Sequence, residues 1–543
     1  MKKIINKKMN ILTTKDLKIK FLGITPVLKE EMGFFNPQEI ISFSALLTFK
    51  GKSVRDLLKE TLAKGEKVED RIKIILRKSS LRGHASLSTT PVISFLYEGS
   101  KFLDSMLTGF YFGSFLVSSG RRTDTTRDDI VFPISFLNSE KLKEKYKSIS
   151  EKIINFYNQI LEKGIKKDVA SKILQYGIYG TGIIQLPLES IISFKRECEI
   201  EKDWMPEEGE YLIKIIEKEL KKMGVDLLYS TRLIAPRNTY PYPNIFKNPQ
   251  KSNLARELVK ENKDFKDSKI ISYNLKITND LKERLKELKE ELEDMIKDKE
   301  KIKKEWQKII LKRQQILRDY NLAARIDFLS SVPWRVWGEK KRHRTCPQII
   351  ESIYYCANRA LVTFEKFEKE IEKDNLSDKI IEEIEKIFSI PLAIKKEKDL
   401  LGGYLKTGLL ALKGYKELIN LGAESKEAIF IVPRAVKIDI LQSYDLYNLL
   451  TGYYPLRLCD TAEEEMKRNT VKEVVQIKNL LSKEGHEWLN DFIRSKCEII
   501  GFCPEEKSCG FIKNFVKEYD DNFHKEMKEE LENKFQKILK EIL

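Results

Sequence analysis

Apolar residues recur along this 543-residue chain at two periods. In PVISFLYEG, Ile93, Phe95 and Tyr97 alternate with Val92, Ser94 and Leu96, and a period of two predicts a strand. KFLDSMLTGFYFGSFLVSSGRR follows, apolar and helical at first, and closes in a Ser-Ser-Gly turn. Residues 139–165 and 207–223 set Lys/Glu faces against apolar ones at helical spacing. The strongest pattern is Leu281, Leu285, Leu288, Leu292, Met295, Ile302, Trp306, Ile309 and Ile316, interrupted only by Lys299 and Arg313. With Thr278-Asn279-Asp280 as caps, it predicts one helix over 280–317, about 55 Å long at 1.5 Å per residue. Its heptad seam should pack on another long helix or a second subunit. RNTYPYPNIFKNPQ (237–250), with three Pro and three Asn, marks the main boundary, and Asp520–Leu543 predicts a short amphipathic helix.

Composition narrows the class. Hydrophobic residues make up 41% and charged ones 34%, interspersed at regular spacing, which excludes disorder over the whole length. At about 100–200 residues per domain, two to four domains are expected. No apolar run approaches the roughly 18–20 residues that span a bilayer. The basic start MKKIINKKMNILTTKDLK has neither an apolar core nor a small-residue cleavage site, so no secretory signal is expected. Seven Cys, an odd number, do not make a disulfide framework, and a reducing cytoplasm is the expected compartment. The balance of 99 Lys+Arg against 83 Asp+Glu, +16, suits nucleic acid and equally anionic small molecules such as nucleotides and folates.

Two stretches carry candidate chemistry. KKRHRTCPQIIESIYY (340–355) contains Arg342-His343-Arg344, seven residues, Ser352, one residue, then Tyr354-Tyr355. Taken bare, the triplet is a solvated or phosphate-binding cation cluster. GFYFGSFLVSSGRR (109–122) fits the same register, with Ser119-Gly120-Arg121-Arg122 at its end and Gly109-Phe110-Tyr111 where the triplet would stand. Together they resemble the RHR-x7-S-x-R-Y signature of flavin-dependent thymidylate synthases. HASLSTTPVISF is similar to that family's H-x4-E-H-x2-F-T-F strand entry, keeping His84, Ser86 and Phe95 but with Thr89-Thr90 for Glu-His. Residues 428–467 resemble its A-R-x-V-L-P … L-R-x4-A-Q-W-E-I stretch in Pro433, Leu456-Arg457, Ala462 and Glu465, and 170–196 is a weaker counterpart.

The resemblance implies an α/β (α+β) protein of two diverged tandem domains with a long helical insertion. The first covers 18–235. The second covers 255–495, its first strands replaced by the long helix, and a Cys-containing segment with a C-terminal helix fills 496–543. The first copy keeps Ser-Gly-Arg and lacks RHR; the second keeps RHR and has Tyr354 where the Arg belongs. That complementarity points to one composite site. Ser119, Gly120 and Arg121 would hold a nucleotide phosphate, with Glu339 (commonly Gln in the family), Ser352 and Arg457 as further substrate contacts. His84, Ser86, Arg342, His343 and Arg344 would hold the cofactor, and Arg342 and Arg457 would act in catalysis. A Ser hydroxyl, turn N–H groups and an Arg fork suit a phosphate, and Gly lets the backbone approach it.

The implied activity is reductive methylation of dUMP to dTMP with FAD, NADPH and methylene-tetrahydrofolate, in a cytoplasmic homo-oligomer, a homodimer imitating a tetramer. Two alternatives stay open: an inactive flavin- or nucleotide-binding scaffold, and a methylase of uracil in nucleic acid. Thr345-Cys346-Pro347-Gln348 has the residue types of another synthase class's Pro-Cys-Gln-His in the wrong order, so Cys346 reads as a buried thiol. A plain alternative for 345–360 is a helix capped by Thr345 with Pro347 in its first turn. Cys497, Cys503 and Cys509, with Cys459 or His486, form a weak metal candidate, since their spacing departs from paired C-x2–4-C ligands and buried thiols are the plainer reading.

Overall fold

The computed structural model describes residues 12–26, 36–119, 124–262, 265–505 and 509–510, with Asn533, Gln536 and Lys540. Gly120, Arg121 and the helix expected over 520–543, those three residues apart, lie outside the described residues. Strand β1 (Lys18–Ile24), β2 (Val92–Ser100), β3 (Ser114–Val117) and β4 (Tyr179–Pro187) form a sheet of order β1-β2-β4-β3. All three pairings are antiparallel. The alternation in β2 works as expected, burying Ile93, Phe95 and Tyr97 and leaving Leu96 exposed. Helix α1 (Lys101–Leu107) follows β2, and α2 (Glu140–Glu162) precedes β4.

The second half repeats this plan. Helices α3 (Asn279–Ile296) and α4 (Lys299–Tyr320) come after β5 (Ser268–Leu275). Then follow β6 (Ala324–Pro333), α5 (Trp334–Lys340), β7 (Gln348–Ile350), α6 (Ile353–Lys366), α7 (Lys398–Asn420), β8 (Lys437–Asp445) and α8 (Glu464–Lys483). The sheet order is β5-β6-β8-β7, again first, second, fourth, third. In both halves a 23-residue helix comes before a nine-residue fourth strand. Both first pairings also carry a register shift, at Phe21/Gly23 and at Ile270/Ser272. The chain is a mixed α/β protein with a duplicated plan.

Three expectations are corrected. The first strands of the second copy are not replaced: β5 and β6 flank the helical insertion. The single helix over 280–317 is a hairpin of α3 and α4, broken at Lys297-Asp298 beside the polar seam position Lys299. Asp298 Oδ1 accepts from Lys301 N (3.2 Å) to start the second arm. Arg284–Asp319 (3.2 Å) and Lys301–Asp294 (2.7 Å) link the two arms, which pack on each other within the chain, and Leu281, Leu285, Leu288, Ile302, Ile309 and Ile316 are all buried. Arg313, the other seam interruption, is buried and donates to Leu450 O (3.1 Å); burial draws its pKa down to about 10. Third, no helix is capped at Thr345: 348–350 is strand β7, and α6 begins at Ile353 with Ser352 in the N-cap position.

By contacts the chain divides into two units that cut across the sequence copies. The first comprises residues 1–257, 331–344 and 349–439. Within it α2 packs along α7, where Gly414 permits the approach; a Cβ there would meet Ile149 Cδ1 at 2.5 Å. The counterpart stretches 170–178 and 428–436 meet, Arg434 N donating to Leu174 O (3.0 Å) and Gly177 N to Phe430 O (3.1 Å). Phe102 stacks on Phe430 (4.1 Å) and edges Trp334 (5.6 Å); burying such rings contributes about 1.5–3 kcal/mol each. The punctuation at 237–250 has no regular structure, yet Ile245 and Phe246 are buried, so it is packed chain and not a free linker.

The second unit comprises 258–330, 345–348 and 440–543. In it α8 braces β5 through Gln476, which accepts from Ile270 N (3.2 Å) and donates to Ser268 O (2.9 Å). Cys346 is buried with Sγ 3.1 Å from Asn448 Oδ1, as a buried thiol should be. Among the described residues no helix is long and apolar enough to cross a membrane.

Candidate functional site

The site lies in the first unit and is built on α1. Ser100 caps that helix, its Oγ accepting from Phe102 N (3.0 Å), and the buried Glu208 carboxylate accepts from Ser100 N (3.0 Å) and Ser100 Oγ. Asp104, one turn on, accepts from Tyr97 OH and from Lys101 Nζ (2.8 Å). Lys101 Nζ also donates to Ser118 O (2.7 Å) and Ser118 Oγ (2.5 Å). Ser118 Oγ accepts from Thr181 N on β4 (3.3 Å), and Ser118 N donates to Thr181 O (2.8 Å). Ser118 therefore leaves the edge of the sheet held on three sides, one residue before Ser119-Gly120-Arg121.

The other motif arrives from the second copy. Lys341, directly after α5, donates from Nζ to Asp104 O (3.0 Å) and Ser105 O (2.8 Å), and its ammonium lies 4.3 Å from the Trp337 ring centroid. The next residues are Arg342, His343 and Arg344. Arg342 is exposed and Arg344 half-buried; their guanidiniums lie 6.0 and 4.9 Å from the Phe115 ring on β3. The RHR loop and the strand leading into Ser-Gly-Arg thus share one face. Desolvation, with Asp104 adding to it and Arg342 opposing, holds the Tyr97 hydroxyl well above its ordinary pKa, so it stays a donor. Desolvation, then the Arg342 charge, holds Lys341 well below the usual lysine range. Desolvation also lowers Lys101, against the pull of Asp104.

The mirror-related positions are used differently. Where the second copy has RHR, the first has Gly109-Phe110-Tyr111, and Phe110 is buried against Phe194 (5.9 Å) and Tyr242 (5.0 Å). Where the first copy has Ser118-Ser119-Gly120-Arg121, the second has Glu351-Ser352-Ile353-Tyr354. Glu351 is fully buried in a two-bond pair with Arg256 (2.6 and 2.7 Å). Ser352 is fully buried with Oγ donating to Lys247 O (2.6 Å), and Tyr354 OH donates to Trp204 O. Ser352 is therefore occupied by the backbone, and the constellation described here does not include it.

The other residues singled out in the sequence are spread more widely. Glu339 is buried on α5 and pairs with Arg335 (3.2 Å), which also reaches Asp168 (3.3 Å). His84, in the loop before β2, and Ser86, first residue of the short helix Ser86–Thr89, are exposed. Arg457 belongs to the second unit, half-buried at the end of the short helix Tyr454–Arg457. Cys497 and Cys503 are buried, Cys509 is exposed, and among the described residues no group of His, Cys, Asp or Glu could hold a metal ion. Asp104, Lys101, Ser118 and Lys341 escaped the sequence reading. Their one signal was the Lys-x-x-Asp pair inside an apolar stretch.

Among the described residues, the repeated sheet order and the cation-rich loop face beside Phe115 define a tandem-duplicated α/β protein with a candidate site in its first unit. The family model described as thymidylate synthase complementing protein matches residues 32–197 and again 267–481, well over half of the chain, and the chain belongs to that family. It is similar to the flavin-dependent thymidylate synthases of Pyrococcus furiosus (32% identical over 125 residues) and Pyrococcus abyssi (31% over 127). Each match takes in 23% of this chain and 50% or 51% of the relative, so the chain spans about half the length of the curated relatives it matches. Among solved structures, a UMP/dUMP methylase, PolB, from Streptomyces cacaoi bound with 5-Br dUMP aligns with a TM-score of 0.34 and 13% identity, over 42% of this chain and 99% of that one.

Proposed function

We propose that this chain is a FAD-dependent enzyme that reductively methylates dUMP to dTMP, with methylene-tetrahydrofolate as carbon donor and NADPH as reductant. It would work in the cytoplasm as a homodimer whose two copies per chain imitate a four-domain assembly. The observation that carries this reading is the common scaffold of the two half-motifs: α1 takes Lys341, next to the RHR loop, and through Lys101 takes Ser118, next to the Ser-Gly-Arg loop.

The donor set fits the ligands proposed. Two guanidiniums, an imidazole and the Phe115 face suit an anionic, aromatic, phosphate-bearing cofactor, and a Ser-Gly-Arg turn suits a nucleotide phosphate. Bound reduced FAD supplies the hydride. Arg342 and Arg344 would neutralise negative charge at the cofactor, His343 would donate a hydrogen bond to it, and Ser119 and Arg121 would orient the nucleotide through its phosphate. The parts given to His84, Ser86 and Gly120, and to Arg457 opposite the uracil carbonyls, rest on the resemblance.

The test is the absorbance of purified protein after FAD addition, followed by tritium release from ring-labelled dUMP with methylene-tetrahydrofolate and NADPH. Flavin binding with tritium release supports the enzyme. Flavin binding without release on any uracil substrate indicates a scaffold. Release from RNA alone, with strongly salt-dependent binding, indicates a nucleic-acid methylase.

A further inference from the structure

We propose that Lys341 and Asp104 are positioning residues, a clamp on α1 that sets the spacing between Arg342-His343-Arg344 and Ser118-Ser119. This rests on the functional reading above for its consequence, and on geometry alone for its existence. Lys341 comes from the second copy and is 3% exposed, and its ammonium donates to two backbone carbonyls at the end of α1. Those carbonyls lie in the last turn of the helix, where the dipole favours a cation; Asp104 O also accepts from Thr108 N (3.2 Å), so Lys341 adds to an existing cap there. Two donors to fixed carbonyls, with Trp337 covering the ammonium, hold the Cα of Lys341 in one place, and Arg342 is covalently next.

On the other face of the same turn, the Asp104 carboxylate holds Lys101, whose ammonium spans to both the carbonyl and hydroxyl of Ser118. Tyr97 OH on β2 takes the second carboxylate oxygen and fixes its plane. A buried lysine is costly unless it is paired, so each of these contacts is held against water and not merely made. Lys341 and Ser118 come from different copies of the duplicated plan and are joined through one helical turn. Neither Lys341 nor Asp104 needs to touch a ligand for the spacing to matter, because misplacing a binding group by about 1 Å can cost on the order of 100-fold in rate.

The test begins without ligand. In Lys341→Met, amide hydrogen exchange at 342–344 and at 116–119 should accelerate together, by about tenfold or more, with global stability retained. Exchange at 116–119 unchanged from the parent would overturn the clamp. Asp104→Asn, nearly isosteric, is the second variant: it should accelerate 116–119 the more strongly, and no acceleration there in a folded protein would also overturn it.

At saturating FAD, dUMP should perturb the flavin absorbance in the parent, lose that perturbation in Lys341→Met, and regain part of it in Lys341→Arg. An unaltered perturbation in Lys341→Met would refute the positioning role. If the parent binds neither FAD nor dUMP while the exchange results hold, the functional reading falls and the clamp stands.

Discussion

The two loops that follow α1 and α5 occupy the same place in a duplicated plan, and they have been put to opposite uses. After α5 the chain presents Arg342, His343 and Arg344 beside Phe115. After α1 it turns Phe110 inward onto Phe194 and Tyr242. The ends of the motif differ the other way round. Ser118 in the first copy is held at the sheet edge leading into Ser-Gly-Arg, whereas Glu351, Ser352 and Tyr354 in the second are sunk into buried contacts. One half of each copy has kept polar groups near the surface and the other half has become core. In the proposed reading a duplicated chain carries one site on twice the scaffold, while the corresponding positions of the second copy, Glu351, Ser352 and Tyr354, are taken up by buried contacts.

That contrast can be broken at several points. Arg342→Ala should abolish tritium release from labelled dUMP, a loss of more than about 1,000-fold, because the flavin that supplies the hydride is no longer held, with the unfolding midpoint unchanged. Arg256→Met, on the vacated side, should do the reverse: urea unfolding should show a loss of about 3–5 kcal/mol, because Glu351 is left buried without its partner.

Glu208 beneath α1 has no counterpart at the start of α5, where Pro333 stands. Burial raises its pKa from 4.5 to about 7, against the opposing bonds from Ser100. The folded state therefore binds its proton more tightly than the unfolded chain does. Stability from this group is present below about pH 4.5, falls as pH rises through about 7, and is flat above; Glu208→Gln should remove that slope, up to about 3 kcal/mol, in urea titrations at stepped pH. The smallest effects pair two serines. Ser119→Ala should weaken dUMP binding about tenfold with stability unaltered, and Ser352→Ala should cost about 1–2 kcal/mol of stability with dUMP binding unaltered.

Much of the plan was legible in particular residues. The alternation through Ile93, Phe95 and Tyr97 marked β2, and the Lys/Glu faces marked α2. The complementary remnants of one motif marked the duplication. The hairpin was not legible, because the seam from Leu281 to Ile316 runs on through Lys297-Asp298 with no Gly or Pro to announce a turn, and a heptad pattern does not say whether its partner is another chain or its own second half. Strand β7 is three residues long, too short for a period, and its Ile349-Ile350 fit a helix face as well. The clamp was invisible for a different reason. Lys341 bonds to carbonyls 236 and 237 positions away, and a backbone carbonyl carries no sequence signature.

The central claim, that two half-motifs make one site per chain, is tested most directly by ligand stoichiometry. Equilibrium titration of the purified protein with FAD, then with dUMP on the flavin-loaded form, should saturate at one of each per chain, and Arg342→Ala should abolish both plateaus. Saturation at two flavins per chain, or one plateau that survives Arg342→Ala, would contradict it.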